Sequence, residues 1–175
     1  MANESTSLLG QNDAGLAHLS GKYLTFALGK EKYGVEILKV QEIIGVMNIT
    51  HVPKSPSYMK GVINLRGKII PVIDLRLKFG MQSIPYDDKT CIIVVNLEIN
   101  SSMIPVGIVV DTVLEVTHFS PADIESAPDY GISAKTKFIL GMGQTKDNPV
   151  AILVDISGAL TPEEIAGVVK AVAAN

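Results

Sequence analysis

Tryptophan is absent from this 175-residue chain, cysteine occurs once, histidine three times, and arginine only at positions 66 and 76. Each scarcity removes a class of function. A formal net charge of −3 with two guanidinium groups provides no basic field to gather phosphates, so nucleic acid is not an expected partner. The lone thiol cannot form an internal disulfide, in keeping with a reducing compartment. Its place in Cys91-Ile92-Ile93-Val94-Val95 predicts an unreactive core residue. His18, His51 and His118 are far apart, with no second His or Cys at ligand spacing, so no metal site is expected. No apolar run approaches the roughly 18 residues needed to span a bilayer, and the N-terminus lacks a basic-then-apolar leader. These features predict a cytoplasmic protein without direct membrane insertion.

Signatures of catalysis are also missing. Gly15 to Lys22 places five residues between its glycines where a phosphate loop needs four, and Tyr23 stands where Ser or Thr would hold magnesium. Gly141-Met142-Gly143 lacks the third glycine and following helix of a dinucleotide site, and reads as a hairpin turn. There is no Gly-x-Ser-x-Gly elbow, and Cys91 has no basic neighbour. Asp87-Asp88 fits a solvated loop and Glu163-Glu164 a helix N-terminus. The expectation is a non-enzymatic protein.

What the chain has in quantity is aliphatic side chains. Hydrophobic residues make up 47% of it, and Val and Ile dominate the apolar runs, as in strands buried on one or both faces. Residues 1–20 are rich in Ser, Asn, Gly and Ala and read as a flexible tail, with order beginning near Lys22 in a domain over 21–175. Alternation in Tyr23–Leu28 and Tyr33–Ile37 around Gly29-Lys30-Glu31-Lys32 predicts a first hairpin. Leu38–Ile44 reads as a strand. A second hairpin turns at Arg66-Gly67, with Pro71 implying an edge or a bulge. Asp74 is placed to cap a short helix over 75–79 that Gly80 ends. Strands are expected at 90–97 and 103–117, and Ser120-Pro121-Ala122-Asp123 opens at most a helical turn.

A third hairpin follows, over Phe138–Leu140 and Val150–Val154. It ends in Asp155 much as the second ends in Asp74, a weak internal duplication suggesting two similar β units. The C-terminal helix is the clearest: Thr161 as N-cap, Pro162 first, Glu163 and Glu164 in the first turn, and an apolar stripe of Ile165, Val168, Val169 and Val172. That stripe is expected to pack on a barrel.

The run Gly61-Val62-Ile63-Asn64-Leu65-Arg66-Gly67, followed by Ile70-Pro71-Val72-Ile73-Asp74-Leu75-Arg76, is more specific. With Leu24–Gly29, Tyr33-Gly34-Val35, Ile37–Ile43 and Lys60, it closely resembles the CheW family, the coupling proteins of bacterial chemotaxis, over residues 22 to about 172. The resemblance implies an all-β fold of two interleaved small SH3-like β-barrels with a C-terminal helix, no cofactor, and an adaptor role. Its partners would be the histidine kinase CheA and the cytoplasmic tips of chemoreceptors, with recruitment to membrane-associated receptor arrays. A small-molecule-binding barrel is the alternative suggested by the aliphatic strands alone.

Site residues follow from the same resemblance. Arg66 at a hairpin tip presents a planar guanidinium able to grip a carboxylate, and Gly67 allows the turn. Glu42 either meets a receptor cation or pairs internally with Arg66. Ile37, Val40 and Ile43 are core by default, yet some could line a groove between the barrels that takes a receptor helix. Receptor contact is thus expected at Arg66, Glu42, Val40, Ile37, Gly61 and Gly67, and kinase contact in the loop from Glu125 to Tyr130. Ile44 departs from the family, which commonly has arginine after Glu-Ile.

Overall fold

The computed structural model describes residues 16–127 and 138–173, and its architecture is all-β with a C-terminal helix. The strands are β1 (Gly21–Leu28), β2 (Glu31–Glu36), β3 (Val40–Gly45), β4 (Met59–Leu65), β5 (Lys68–Asp74), β6 (Cys91–Ile99), β7 (Ser102–Val110), β8 (Thr112–Phe119), β9 (Ile124–Glu125), β10 (Ile139–Gly143) and β11 (Ala151–Val154). Two α-helices lie wholly within the described residues, α1 (Leu75–Lys78) and α2 (Pro162–Ala173).

The strands form two sheets. One runs β8-β1-β2-β11-β10-β9, the other β3-β6-β7-β5-β4. The two share a plan. In each, an edge strand flanks an antiparallel hairpin, and the hairpin's second strand pairs in parallel with the return strand of another hairpin. The repeat legible in the Asp74 and Asp155 endings is therefore a repeat of topology. The edge strands are exchanged: the strand after β2 joins the second sheet beside β6, and the strand after β7 joins the first sheet beside β1. That exchange is what interleaves the two small barrels.

Burial follows from this plan. Ile92, Ile93, Val94 and Val95 are all fully buried because β6 has a core on each face. Ile92 and Val94 point into one barrel with Ile63, Ile70 and Val72, whereas Ile93 and Val95 join the core shared between the sheets with Leu24, Phe26, Val35 and Ile108. Tyr23, Phe119, Ile124 and Leu153 fill the other barrel. Both interiors are packed with their own side chains.

Several sequence expectations change. Residues 1–15 of the expected tail lie outside the described residues, but Ala17–Leu19 form a 3-10 turn and Leu19 is buried, its carbonyl accepting from the Tyr23 hydroxyl. The first residues of the expected strand at 38–44 belong to a 3-10 turn, Ile37–Lys39. The expected strand over 103–117 is two strands in different sheets, broken at Asp111. Pro71 is in an interior strand: pairing of β5 with β7 starts only at Val72, so the missing N–H falls before that ladder begins. Gly141 and Gly143 are not a turn but part of β10, where a Cβ would lie 2.9 Å from the Glu125 carbonyl and 2.8 Å from the Phe119 ring respectively. Cys91 opens β6 and is only half-buried, its thiol near the Lys89 carbonyl.

The expected helices and their caps hold. Asp74 Oδ1 accepts from the Leu77 amide at 3.3 Å at the start of α1, and the Ser120 turn carries a capping box. Thr161 and Glu164 cap α2 reciprocally, at 3.2 and 3.0 Å. Val168 is buried, and Ile165 and Val169 pack against the shared core; the side chain of Val172 lies outside the described residues. Lys78 Nζ donates to both Glu164 oxygens at 2.6 and 2.7 Å and sits 4.7 Å over the Tyr58 ring, fixing the helix to α1. Among the described residues no helix is long and apolar enough to cross a membrane.

Candidate functional site

The site begins with a two-residue turn. Leu65 and Lys68 close the β4–β5 hairpin, and both central residues are left-handed, Arg66 at φ 54° and Gly67 at φ 85°. This primed turn matches the twist of the flanking strands, and its usual occupants are Asn, Asp and Gly. Arginine has no such ease: a left-handed residue with a Cβ costs about 1–2 kcal/mol. The Asn64 side chain offsets part of that cost by accepting from the Gly67 amide at 2.9 Å.

The strained turn aims the Arg66 guanidinium at Glu42. Its Nη1 donates to Oε1 at 3.0 Å and Nη2 to Oε2 at 2.7 Å, a two-pronged ion pair. Glu42 is on β3 and Arg66 at the tip of the β4–β5 hairpin, and β3 and β4 are the opposite edges of the five-stranded sheet. The pair thus bridges the edges of that sheet, helping to close it into a barrel. Glu42 is 18% exposed and Arg66 73%, so one face of the guanidinium is open to a partner.

Apolar side chains are exposed along and beside β3. The alternation of β3 buries Val40, Glu42 and Ile44 partly and turns Gln41 and Ile43 outward, with a bulge between Val40 and Glu42 against β6. Ile43 is 44% exposed, so the default expectation of a core residue does not hold for it. Ile37 and Val40 pack partly against the shared core. Leu38 is 93% exposed, and Val46 and Met47 are exposed just beyond β3. Leu38 escaped the sequence reading because an Ile-Leu-Lys-Val run looks like a buried strand until the 3-10 turn at 37–39 rotates Leu38 outward.

The remaining predicted residues are placed differently. Gly61 is buried with φ 140°, and a Cβ there would lie 2.0 Å from the Thr50 carbonyl oxygen. It acts on the site through the backbone, by letting residue 50 cross β4, where Thr50 and Val62 exchange hydrogen bonds of 2.8 and 2.9 Å. Gly67 is exposed with nothing near its Cβ position, so only its φ demands glycine. Ile44, where arginine is common in the family, packs partly against the barrel interior near Ile63 and Val72. Glu125 is exposed on β9, at the far edge of the other sheet, and Tyr130 lies outside the described residues. Arg66 and Glu42 are therefore brought together, Val40 and Ile37 lie on β3 and in the turn before it and pack toward the shared core, and Glu125 lies on the other sheet.

Known proteins share the sequence pattern and the fold of this chain. Residues 22–164 match the family described as the CheW-like domain. The chain is 43% identical over 145 residues to a chemotaxis protein CheW of Klebsiella aerogenes, covering 83% of this chain and 84% of that one. It is 33% identical to a chemotaxis protein CheW of Helicobacter pylori, over 75% and 77% of the two chains. Among solved structures, the scaffolding protein TtCheW of Thermoanaerobacter tengcongensis matches with a TM-score of 0.67 and 36% identity, covering 78% of this chain and 89% of that one. The profile, the relatives and the shared fold agree, and the chain belongs to the CheW-like domain family of chemotaxis scaffold proteins.

Proposed function

We propose that this chain is a non-enzymatic adaptor that couples the cytoplasmic tips of chemoreceptors to the histidine kinase CheA, acting in the cytoplasm at receptor arrays. The receptor docks on the surface formed by Arg66, Glu42 and β3, and the kinase at the segment around Glu125 and Tyr130. Family membership supports the adaptor class. The observation that carries the receptor assignment is the Arg66–Glu42 pair, held by a turn that arginine occupies at a cost, together with the exposure of Ile43 on β3 and Leu38 just before it. An amphipathic receptor helix would lay apolar residues on Ile43 and Leu38 and a carboxylate against the N–H edge of Arg66 that Glu42 leaves open. Receptor state then reaches the kinase as a shift in its conformational populations.

The test is titration of the purified chain against a receptor signalling-tip fragment and against CheA, separately. Binding to both is expected, with Ile43→Asp losing receptor affinity by about tenfold or more while binding CheA unchanged. Absence of binding to either partner, where a relative binds both, would overturn the proposal.

A further inference from the structure

The polypeptide crosses between the two sheets twice among the described residues, and the crossings differ. The first runs through the 3-10 turn Ile37–Lys39, where Lys39 Nζ lies 3.6 Å from Asp155 with side chains 40% and 27% exposed, a long and solvated contact. The second is one residue, Asp111, between the end of β7 and the start of β8. A one-residue link has two soft torsions, so the conformation at Asp111 bears on how the sheets are oriented.

That residue is tied from both sides. Its amide donates to the Ala27 carbonyl at 3.1 Å. Its carboxylate accepts from Arg76 Nε at 2.6 Å, from Arg76 Nη2 at 2.7 Å and from the Gly29 amide at 2.7 Å. Arg76 is on α1, which continues β5 of one sheet; Gly29 is in the β1–β2 turn of the other. Arg76 is anchored in turn by Nη1, which donates to the Gln82 carbonyl at 3.1 Å. Side-chain exposure is 14% for Arg76 and 19% for Asp111, so water competes little. Burial pushes the Asp111 carboxyl up, but the bonds from Arg76 and Gly29 and the Arg76 charge outweigh it, and the group lies below the usual carboxylate range. Alongside runs a column of rings, Phe26–Tyr33–Phe79–Phe138, with centroids 5.8, 5.5 and 4.7 Å apart, linking β1 and β2 to the residue after α1. The shared aliphatic core holds the sheets together but is non-directional, whereas charge-assisted hydrogen bonds fix an orientation.

We propose that Asp111, pinned by Arg76 and the Gly29 amide, is a positioning device that holds the two sheets at one angle and carries the coupling between partners docked on different sheets. The coupling half rests on the adaptor role proposed above; the angle half does not. The device works through backbone orientation, so neither residue need touch a partner.

Two measurements test it. Spin labels at exposed Lys22 and Lys68, one on each sheet, in a Cys91→Ser background report the inter-sheet distance. Asp111→Asn and Arg76→Lys are each expected to broaden that distribution about twofold with unchanged circular dichroism. They should also leave binding of a receptor-tip fragment and of CheA, measured separately, unaltered, while cutting receptor-dependent kinase activation about fivefold. Unchanged distance distributions in both variants would overturn the pin, and full activation despite broadened distributions would overturn its role in coupling. Should wild-type protein bind neither partner, the adaptor role and the coupling half fall together, while the distances still decide the angle half. Should either variant fail to fold, hydrogen exchange of the wild-type Gly29 amide decides the pin: protection about tenfold or more above that of the Lys30 amide supports it, and equal rates overturn it.

Discussion

Replacing Arg66 separates the cost of its backbone from the use of its side chain. Arg66→Ala keeps a Cβ at φ 54° and removes the ion pair with Glu42. Because the guanidinium is 73% exposed, the pair itself contributes at most about 1 kcal/mol, so the loss in stability should be about 0.5–1 kcal/mol. Arg66→Asn loses the same pair but installs a residue that tolerates the left-handed region, recovering about 1 kcal/mol of strain. The asparagine variant should therefore be near wild type and about 1 kcal/mol more stable than the alanine variant, a difference of roughly 2–4 °C in Tm for a chain of this size. Urea denaturation of the three proteins measures this directly. Both variants should lose receptor binding to the same extent, because neither carries a guanidinium. Equal stability of the two variants would refute the strain assigned to the turn. Receptor binding retained by Arg66→Asn would refute the guanidinium's role.

Gly61→Ala should cost about 3 kcal/mol or more and weaken receptor binding without any lost contact, because its methyl group would meet the Thr50 carbonyl at 2.0 Å and force apart the Thr50–Val62 bridge; amide exchange at Thr50 and Val62 reports it. Ile43→Asp, on an exposed edge-strand position, should change stability by no more than about 0.5 kcal/mol in the same urea assay while abolishing tight receptor binding. Burial raises the Glu164 carboxyl, but the Lys78, Thr161 and Tyr58 hydrogen bonds and the Lys78 charge outweigh it and hold it below the ordinary glutamate value of 4.5. A depressed carboxylate contributes stability above its unfolded value and loses it as pH falls through the folded one, so wild type should weaken progressively below about pH 4.5. Glu164→Gln should be less stable at neutral pH, by about 1–2 kcal/mol, and should show a shallower acid loss; parallel curves for the two proteins would count against the pair.

Much of the fold was legible because it is local. Alternation in Tyr23–Leu28 and the primed turn at Arg66-Gly67 announce hairpins, and Asp74 and Thr161 announce helix starts, since each of these signals is spent on neighbours in sequence. What was not legible depends on partners distant in the chain. Ile108-Val109-Val110-Asp111-Thr112-Val113 reads as one strand, yet Asp111 leaves one sheet for another, and only Arg76 and Gly29, 35 and 82 residues away, explain its side chain. Gly143 looks like a turn glycine until the Phe119 ring is found against it. Within the site, the sequence left Glu42 to choose between a receptor cation and Arg66, and the closure of β3 toward the β4–β5 tip makes the internal pair. Leu38 was hidden because periodicity in a short apolar run cannot separate a strand from a 3-10 turn.

Reconstitution is the most direct test of the proposed coupling: CheA autophosphorylation measured with receptor signalling tips, with and without this chain. The adaptor role predicts that receptors raise kinase activity only when the chain is present, and that Arg66→Asn, folded and stable, does not substitute for it. Receptor-dependent activation that is the same without the chain, or fully supported by Arg66→Asn, would contradict it.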